Sequence, residues 1–164
     1  MIRKAEISDL PIIVEIYNQA IDATCCTGDM EHFNAETRRP WFELHNNNIR
    51  TPIFVYELEG KVVAYGAISL YRYGRKAFER VCEVSYYVDF NYHGNGIGKK
   101  LLEYLIIEAK KIGYKHLVAI LLDCNKKSIS LLEKNEFVLW GKMPDIAHIN
   151  NNVYSHVYYG LTLK

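Results

Sequence analysis

The sequence predicts a single mixed α/β domain with a strand–helix–strand unit at its centre. Segments of strand character interleave with segments whose apolar residues recur at helical spacing. A glycine-rich turn, Gly94-Asn95-Gly96-Ile97-Gly98, follows one strand and opens a helix. No repeat or linker interrupts the 164 residues, a length that suits one core.

The elements follow in order. Ile2–Ile7 reads as a short first strand, with Ser8 as N-cap and Asp9 in the first turn of a helix to about Ala23, carrying Leu10, Ile13, Val14, Tyr17 and Ile21 on one face. Thr24–Phe33 has no periodicity and reads as a lid or substrate loop. Asn34 can cap a second helix bearing Trp41, Phe42 and Leu44, with Pro40 early in it, since an interior proline costs about 3 kcal/mol. Pro52–Leu58 and Lys61–Leu70 form a hairpin about Glu59-Gly60. A basic loop, Arg72–Ala77, leads to the strand Phe78–Val88, the glycine turn, and a helix closed by Gly113. His116–Leu122 is near-continuously apolar, as a buried parallel strand should be. Asn125 or Ser128 opens a last helix ending by Asn135, and strands Phe137–Met143 and Val153–Leu163 flank an Asn-rich hairpin loop.

Composition excludes several function classes. Apolar residues make up 49% of the chain, and 20 basic against 19 acidic residues leave a net charge of +1, far from the basic field of a nucleic-acid binder. No apolar run is long enough to span a bilayer and no signal-peptide core opens the chain, so a soluble, cytoplasmic protein without membrane contact is expected. Four cysteines (Cys25, Cys26, Cys82, Cys124) lack zinc spacing and are expected to be reduced, mostly buried side chains. The six histidines form no ligand pair, and no metal is expected.

The glycine turn carries the chemistry. Alternate glycines at a strand-to-helix turn let the backbone pass close to a ligand, and their N–H groups converge at the positive end of the helix dipole, which suits the pyrophosphate of a coenzyme. It is not a Walker loop, because His93 and Lys100 stand where that motif needs glycine and Ser or Thr. It is not a dinucleotide-binding fingerprint, because Lys99 stands at the third glycine.

His93-Gly94-Asn95-Gly96-Ile97-Gly98 resembles the acetyl-CoA-binding motif R/Q-x-x-G-x-G/A of the GNAT superfamily of N-acetyltransferases, with His at the first position. Glu15–Asn18, Arg38-Arg39 with Trp41-Phe42, Glu83–Val88 and Asn125-x-x-Ser128-x-x-Leu131 resemble the phosphinothricin and methionine sulfoximine N-acetyltransferases within it. The resemblance implies a mostly antiparallel mixed sheet of about seven strands flanked by about four helices. It also implies transfer of acetyl from acetyl-CoA to the primary amine of a small molecule, an amino acid or analogue, in a homodimer.

By resemblance, Gly94, Asn95, Gly96, Ile97, Gly98 and Lys99 surround the pyrophosphate, backbone groups of Tyr86, Tyr87 and Val88 pair with the pantetheine arm, and Asn125 contacts the coenzyme. Glu83 is the expected general base, taking the amine proton directly or through water. Arg72 is expected to hold a substrate carboxylate, with Tyr73, Val84 and Ser85 bordering the same pocket. The chain departs from the family at Leu132, where many members place Tyr and this subfamily His to support the departing thiolate, and at Gly28, where relatives have an aromatic substrate contact. Two other readings fit the same coenzyme site: an acetyltransferase of protein N-termini or lysines, and a catalytically silent acyl-CoA sensor.

Overall fold

In the computed structural model, which describes residues 1–164, the strands are β1 (Ile2–Lys4), β2 (Ile53–Leu58), β3 (Lys61–Leu70), β4 (Val81–Val88), β5 (His116–Leu122), β6 (Val138–Ile149) and β7 (Asn152–Thr162). The helices are α1 (Leu10–Asp22), α2 (Ala35–Asn46), α3 (Ile97–Ile112) and α4 (Lys126–Lys134). The strands form one sheet in the order β1-β2-β3-β4-β5-β7-β6. Every pair is antiparallel except β4–β5, which α3 connects by crossing one face. Seven strands and four helices match the expected architecture.

Alternation along β4 divides its side chains between two cores. Cys82 and Val84 are buried with Leu101, Leu102 and Leu105 of α3, and Leu132 of α4 belongs to the same cluster. Tyr87, on the opposite face, packs with Tyr17 of α1, Phe42 of α2 and Tyr65 of β3. Each fully buried leucine of α3 contributes roughly 1.5–3 kcal/mol over an exposed one. The helix approaches the sheet closely at Gly66, where a Cβ would stand 2.7 Å from Leu105 Cδ1 and 3.1 Å from the Ser85 carbonyl.

Several element ends differ from expectation for local reasons. The first strand stops at Lys4 because Asp9 turns the chain: its carboxylate accepts from the Arg3 guanidinium (2.7 and 2.9 Å) and from the Glu6 N–H (2.8 Å). That Arg3 hydrogen bond holds the Asp9 carboxyl below the usual carboxylate range. A 3-10 turn therefore occupies Ile7–Asp9, and α1 starts at Leu10 rather than after Ser8. Pro40 lies inside α2, not at its start, because the Asn34–Thr37 capping box fixes the helix start at Ala35; Pro40 is exposed. Residues 76–78 form a 3-10 turn, so β4 begins at Val81. Asn125 is the cap of α4, its Oδ1 accepting from the Ser128 N–H. The hairpin of β6 and β7 is longer than expected: β6 runs to Ile149 across a register shift between Met143 and Ala147, and Asn150 and Asn151 turn it with positive φ.

The cysteine expectation fails for two residues. The loop after α1 folds back over the end of β5 and brings Cys25 to Cys124, 99 residues on, where the two are joined by a disulfide with Cα atoms 5.7 Å apart. Cys82 is buried and free, as expected, and Cys26 is half-buried and free. The same loop is held to α1 by Tyr17, whose hydroxyl bonds Thr27 and Asp29, and by Asn18, which bonds the Phe33 backbone twice. It is thus a tethered loop.

Candidate active site

The register of the one parallel pair creates the site. β4 and β5 pair only over Val81–Glu83 and His116–Val118, yet β4 continues to Val88 and β5 to Leu122. Beyond Glu83 the strands diverge, and the edge of β4 facing β5 has no strand partner. β4 stays paired to β3 as far as Val88 without a register shift, which holds the open edge from its other side.

The resulting cleft has a volume of about 500 Å³. Val84, Ser85, Tyr86, Tyr87 and Val88 form one wall; Ala119, Ile120 and Leu121 of β5 form the other. The glycine turn closes the outer end. Gly94 and Gly96 have φ of +82° and +72°, a region that costs an L side chain about 1–2 kcal/mol, so the sequence needs glycine at both. Gly98 lies in the first turn of α3, where a Cβ would meet Leu131 at 3.5 Å and Val88 at 3.7 Å. No Asp or Glu lines the cleft, whereas Lys99 in the first turn of α3 and Lys127 in the first turn of α4 do. This end favours anions; the inner end is apolar.

Most predicted coenzyme residues come together here: Tyr86, Tyr87, Val88, Gly94, Gly96, Ile97, Gly98, Lys99 and Asn125 all line the cleft. Asn95 does not. Its amide donates to the Tyr92 and His93 carbonyls (3.2 and 3.4 Å), so it latches the turn from outside. His93 lines the cleft and donates from Nε2 to the Val88 carbonyl (3.0 Å), tying the turn to the end of β4.

Glu83 stands at the last β4–β5 pair, the vertex of the divergence, opposite Ser69 on β3 and Val118 on β5. Burial alone raises its carboxyl above the usual range, with no partner offsetting it. Tyr87, next but three along β4, has its phenol pushed well above its ordinary value by burial among Tyr17 and other neighbours.

The predicted substrate residues are separated. Val84 and Ser85 line the coenzyme cleft. Arg72 lines a second cavity of about 600 Å³ with Tyr71, Val118, Trp140, Met143 and Tyr158, and Ile120 of β5 borders both cavities. Tyr73 is 86% exposed and lines neither, because the segment between β3 and β4 turns it outward at Gly74 (φ +74°). Sequence reasoning missed the side chain of Tyr86, whose hydroxyl lies 2.7 Å from Ser128 Oγ, and Lys127 and Cys26 at the cleft rim. It also missed a box in which the Arg38 guanidinium sits 4.3–4.9 Å from the ring centres of Tyr17, Phe33 and Trp41.

A mixed seven-stranded sheet opened between its fourth and fifth strands, with a glycine turn at the helix that follows, defines an acyl-coenzyme A N-acyltransferase architecture. The chain belongs to the acetyltransferase (GNAT) family, whose model matches residues 13–137, and it is an acetyl-CoA-dependent N-acetyltransferase. It is 36% identical over 154 residues, 93% of each chain, to YwnH of Bacillus subtilis strain 168, whose name assigns it provisionally as a phosphinothricin acetyltransferase. It is 33% identical over 146 residues to the L-amino acid N-acyltransferase MnaT of Escherichia coli K12, covering 89% of this chain and 84% of the relative. The crystal structure of an N-acetyltransferase from Staphylococcus aureus Mu50 superposes with a TM-score of 0.95 at 35% identity, covering 100% of this chain and 98% of that one.

Proposed function

We propose that the protein transfers acetyl from acetyl-CoA to the primary amine of a small molecule, an amino acid or an analogue of the phosphinothricin and methionine sulfoximine type, by direct attack with Glu83 as general base. One observation carries the reading: the open edge of β4 begins at Glu83 and runs toward the glycine turn, so one backbone edge leads from a half-buried carboxylate, which itself lines neither cavity, along the cleft to an anion site.

Each residue then has a role. The N–H groups of Gly94–Lys99 take the pyrophosphate, assisted by the Lys99 charge. Tyr86, Tyr87 and Val88 pair through their backbone with the pantetheine amides, as an added strand would. Asn125 contacts the coenzyme from the opposite wall, and Asn95 serves by holding the turn in shape. The acetyl end reaches the vertex, where Glu83 accepts the proton shed by the attacking amine. Its raised proton affinity makes it a better base than an exposed glutamate. Arg72 pairs with the acceptor's carboxylate from the second cavity, across Ile120.

Residues 1–164 act as one N-acetyltransferase domain in the cytoplasm. A homodimer is supported by the apolar residues exposed on the edge hairpin, Val138, Leu139, Ile146 and Val153. No helix is long and apolar enough to cross a membrane. The test is release of coenzyme A thiol against a panel of amines: methionine sulfoximine, methionine sulfone, phosphinothricin, free amino acids and peptides. Turnover confined to small α-amino acids supports the proposal. Turnover only on peptides moves the acceptor to protein N-termini or lysines, and binding of acetyl-CoA without turnover on any amine makes the protein a sensor.

A further inference from the structure

Leu132 removes from α4 the side chain that the family resemblance expects to support the departing sulfur. Leu132 is 1% exposed and offers no polar atom. The cleft nevertheless holds one side-chain hydroxyl pair facing that helix. Tyr86 projects from β4 onto the α3–α4 side of the sheet, and its hydroxyl lies 2.7 Å from the Oγ of Ser128 in the first turn of α4. Tyr86, Ser128 and Leu132 line the same cavity.

The position of this pair follows from helix geometry. Side chains on an α-helix lean toward its N-terminus, so a residue covers the turn before its own Cα. Ser128 and Leu132 are four residues apart and share a face of α4. A polar side chain at position 132 would therefore bring its tip toward Ser128, where the Tyr86 hydroxyl already stands. The phenol arrives from the strand wall instead of the helix wall.

We propose that Tyr86, braced by Ser128, is the catalytic hydrogen-bond donor to the sulfur of the departing coenzyme A. The proposal rests on the reading of the cleft as the acetyl-CoA site. In the step, the amine nitrogen bonds to the acetyl carbonyl carbon and the proton it sheds goes to Glu83. The carbon–sulfur bond breaks with its electron pair going to sulfur. Either hydroxyl of the pair can donate; in this step Ser128 donates to the phenol oxygen, so that the phenol O–H turns to the sulfur. Burial pushes the Tyr86 phenol up to about 12, while a thiol ionises near about 8.5. Tyr86 thus keeps its proton and stabilises the thiolate by a charge-assisted hydrogen bond, and the thiolate takes its own proton from water.

The experiment is Tyr86→Phe, read in two ways on the full chain. The first is the pH titration of bound coenzyme A thiol, followed by thiolate absorbance in the ultraviolet; the second is kcat beside the dissociation constant of acetyl-CoA. The thiol of bound coenzyme A should ionise at lower pH in the wild type than in the variant. The variant should lose about 10- to 100-fold in kcat, the range for a hydrogen bond to a charged group, with acetyl-CoA affinity kept within about threefold. Tyr86→Phe/Leu132→His, which restores a donor from α4, should recover much of the loss. Ser128→Ala, which frees the phenol without removing it, should move both readouts in the same direction by less and serves if Tyr86→Phe does not fold. An unchanged thiol titration with kcat within twofold overturns the role of Tyr86 alone. Failure of the wild type to bind acetyl-CoA overturns the reading of the cleft and this proposal with it.

Discussion

Glu83→Gln separates chemistry from folding, because burial gives the carboxylate a cost in one and the proposed mechanism gives it a use in the other. The side chain is half-buried at the vertex of the β4–β5 divergence, and burial alone raises its proton affinity. A carboxyl whose folded proton affinity exceeds its unfolded one contributes stability that is present at low pH and is lost as pH rises through its folded value. At neutral pH the ionised Glu83 is therefore a net cost to folding. Glutamine has nearly the same shape and no charge, so the variant should be at least as stable as the wild type at pH 7 by thermal unfolding, and its advantage should vanish in acid. Loss of a general base should lower kcat by roughly 100- to 10,000-fold, about 3–5 kcal/mol of barrier. The acidic limb of the wild-type pH–rate profile should lie above the ordinary glutamate range and disappear in the variant. Thiol release and calorimetric titration with acetyl-CoA measure these effects. A variant with kcat within threefold of wild type, or one equally destabilised and inactive, refutes the assignment.

Three further outcomes follow from the site. Arg72→Ala should raise KM for a carboxylate-bearing acceptor by about 10-fold or more while leaving acetyl-CoA affinity unchanged, since Arg72 lines the second cavity and not the cleft; an unchanged KM places the acceptor elsewhere. Gly96→Ala meets no protein atom within 4 Å, so its cost is the left-handed backbone alone, about 1–2 kcal/mol and a few degrees in Tm, together with weaker acetyl-CoA binding where the Cβ meets the phosphates; binding unchanged by calorimetry argues against phosphate at this turn. Cys124→Ser should lower Tm, because a link closing a loop of 99 residues is worth up to about 4–5 kcal/mol. Alkylation and mass measurement should find two free thiols, Cys26 and Cys82, before reduction and four after; four before reduction refutes the bridge.

What was legible in the sequence depended on short range. The glycine turn, the helix it opens and the Asn125 cap are local, and their residues other than Asn95 line one cleft. Strict alternation along Val81–Val88 puts Glu83 on the face opposite Cys82 and Val84, a period-two pattern that is also local. The divergence of β4 from β5 was not legible, because the register of a parallel pair whose residues lie some 35 positions apart is set by how α3 seats on Gly66. Nor was the split of the substrate residues: the cavity beside Arg72 is walled by Trp140, Met143 and Tyr158, whose position depends on where the long hairpin docks. Asn95 matched the motif by spacing, but its amide bonds backward to Tyr92 and His93. The Cys25–Cys124 contact leaves no trace in cysteine spacing at all.

Three departures from ordinary folding rules fall together between Glu83 and Gly98. A half-buried carboxyl there has no partner, a strand edge beside it has no neighbour, and two positive-φ glycines follow within 13 residues of Glu83. Each is unfavourable alone: unpaired backbone groups withdrawn from water cost about 1–3 kcal/mol apiece, and glycine adds backbone entropy to the unfolded chain. Elsewhere β4 obeys the rules, fully paired to β3 and packed on both faces. A scaffold this regular does not require the opening for its own stability. The cost is offset only when something supplies the missing strand, the missing anion and the missing proton donor together, and an acyl-coenzyme A with an amine beside its thioester supplies all three.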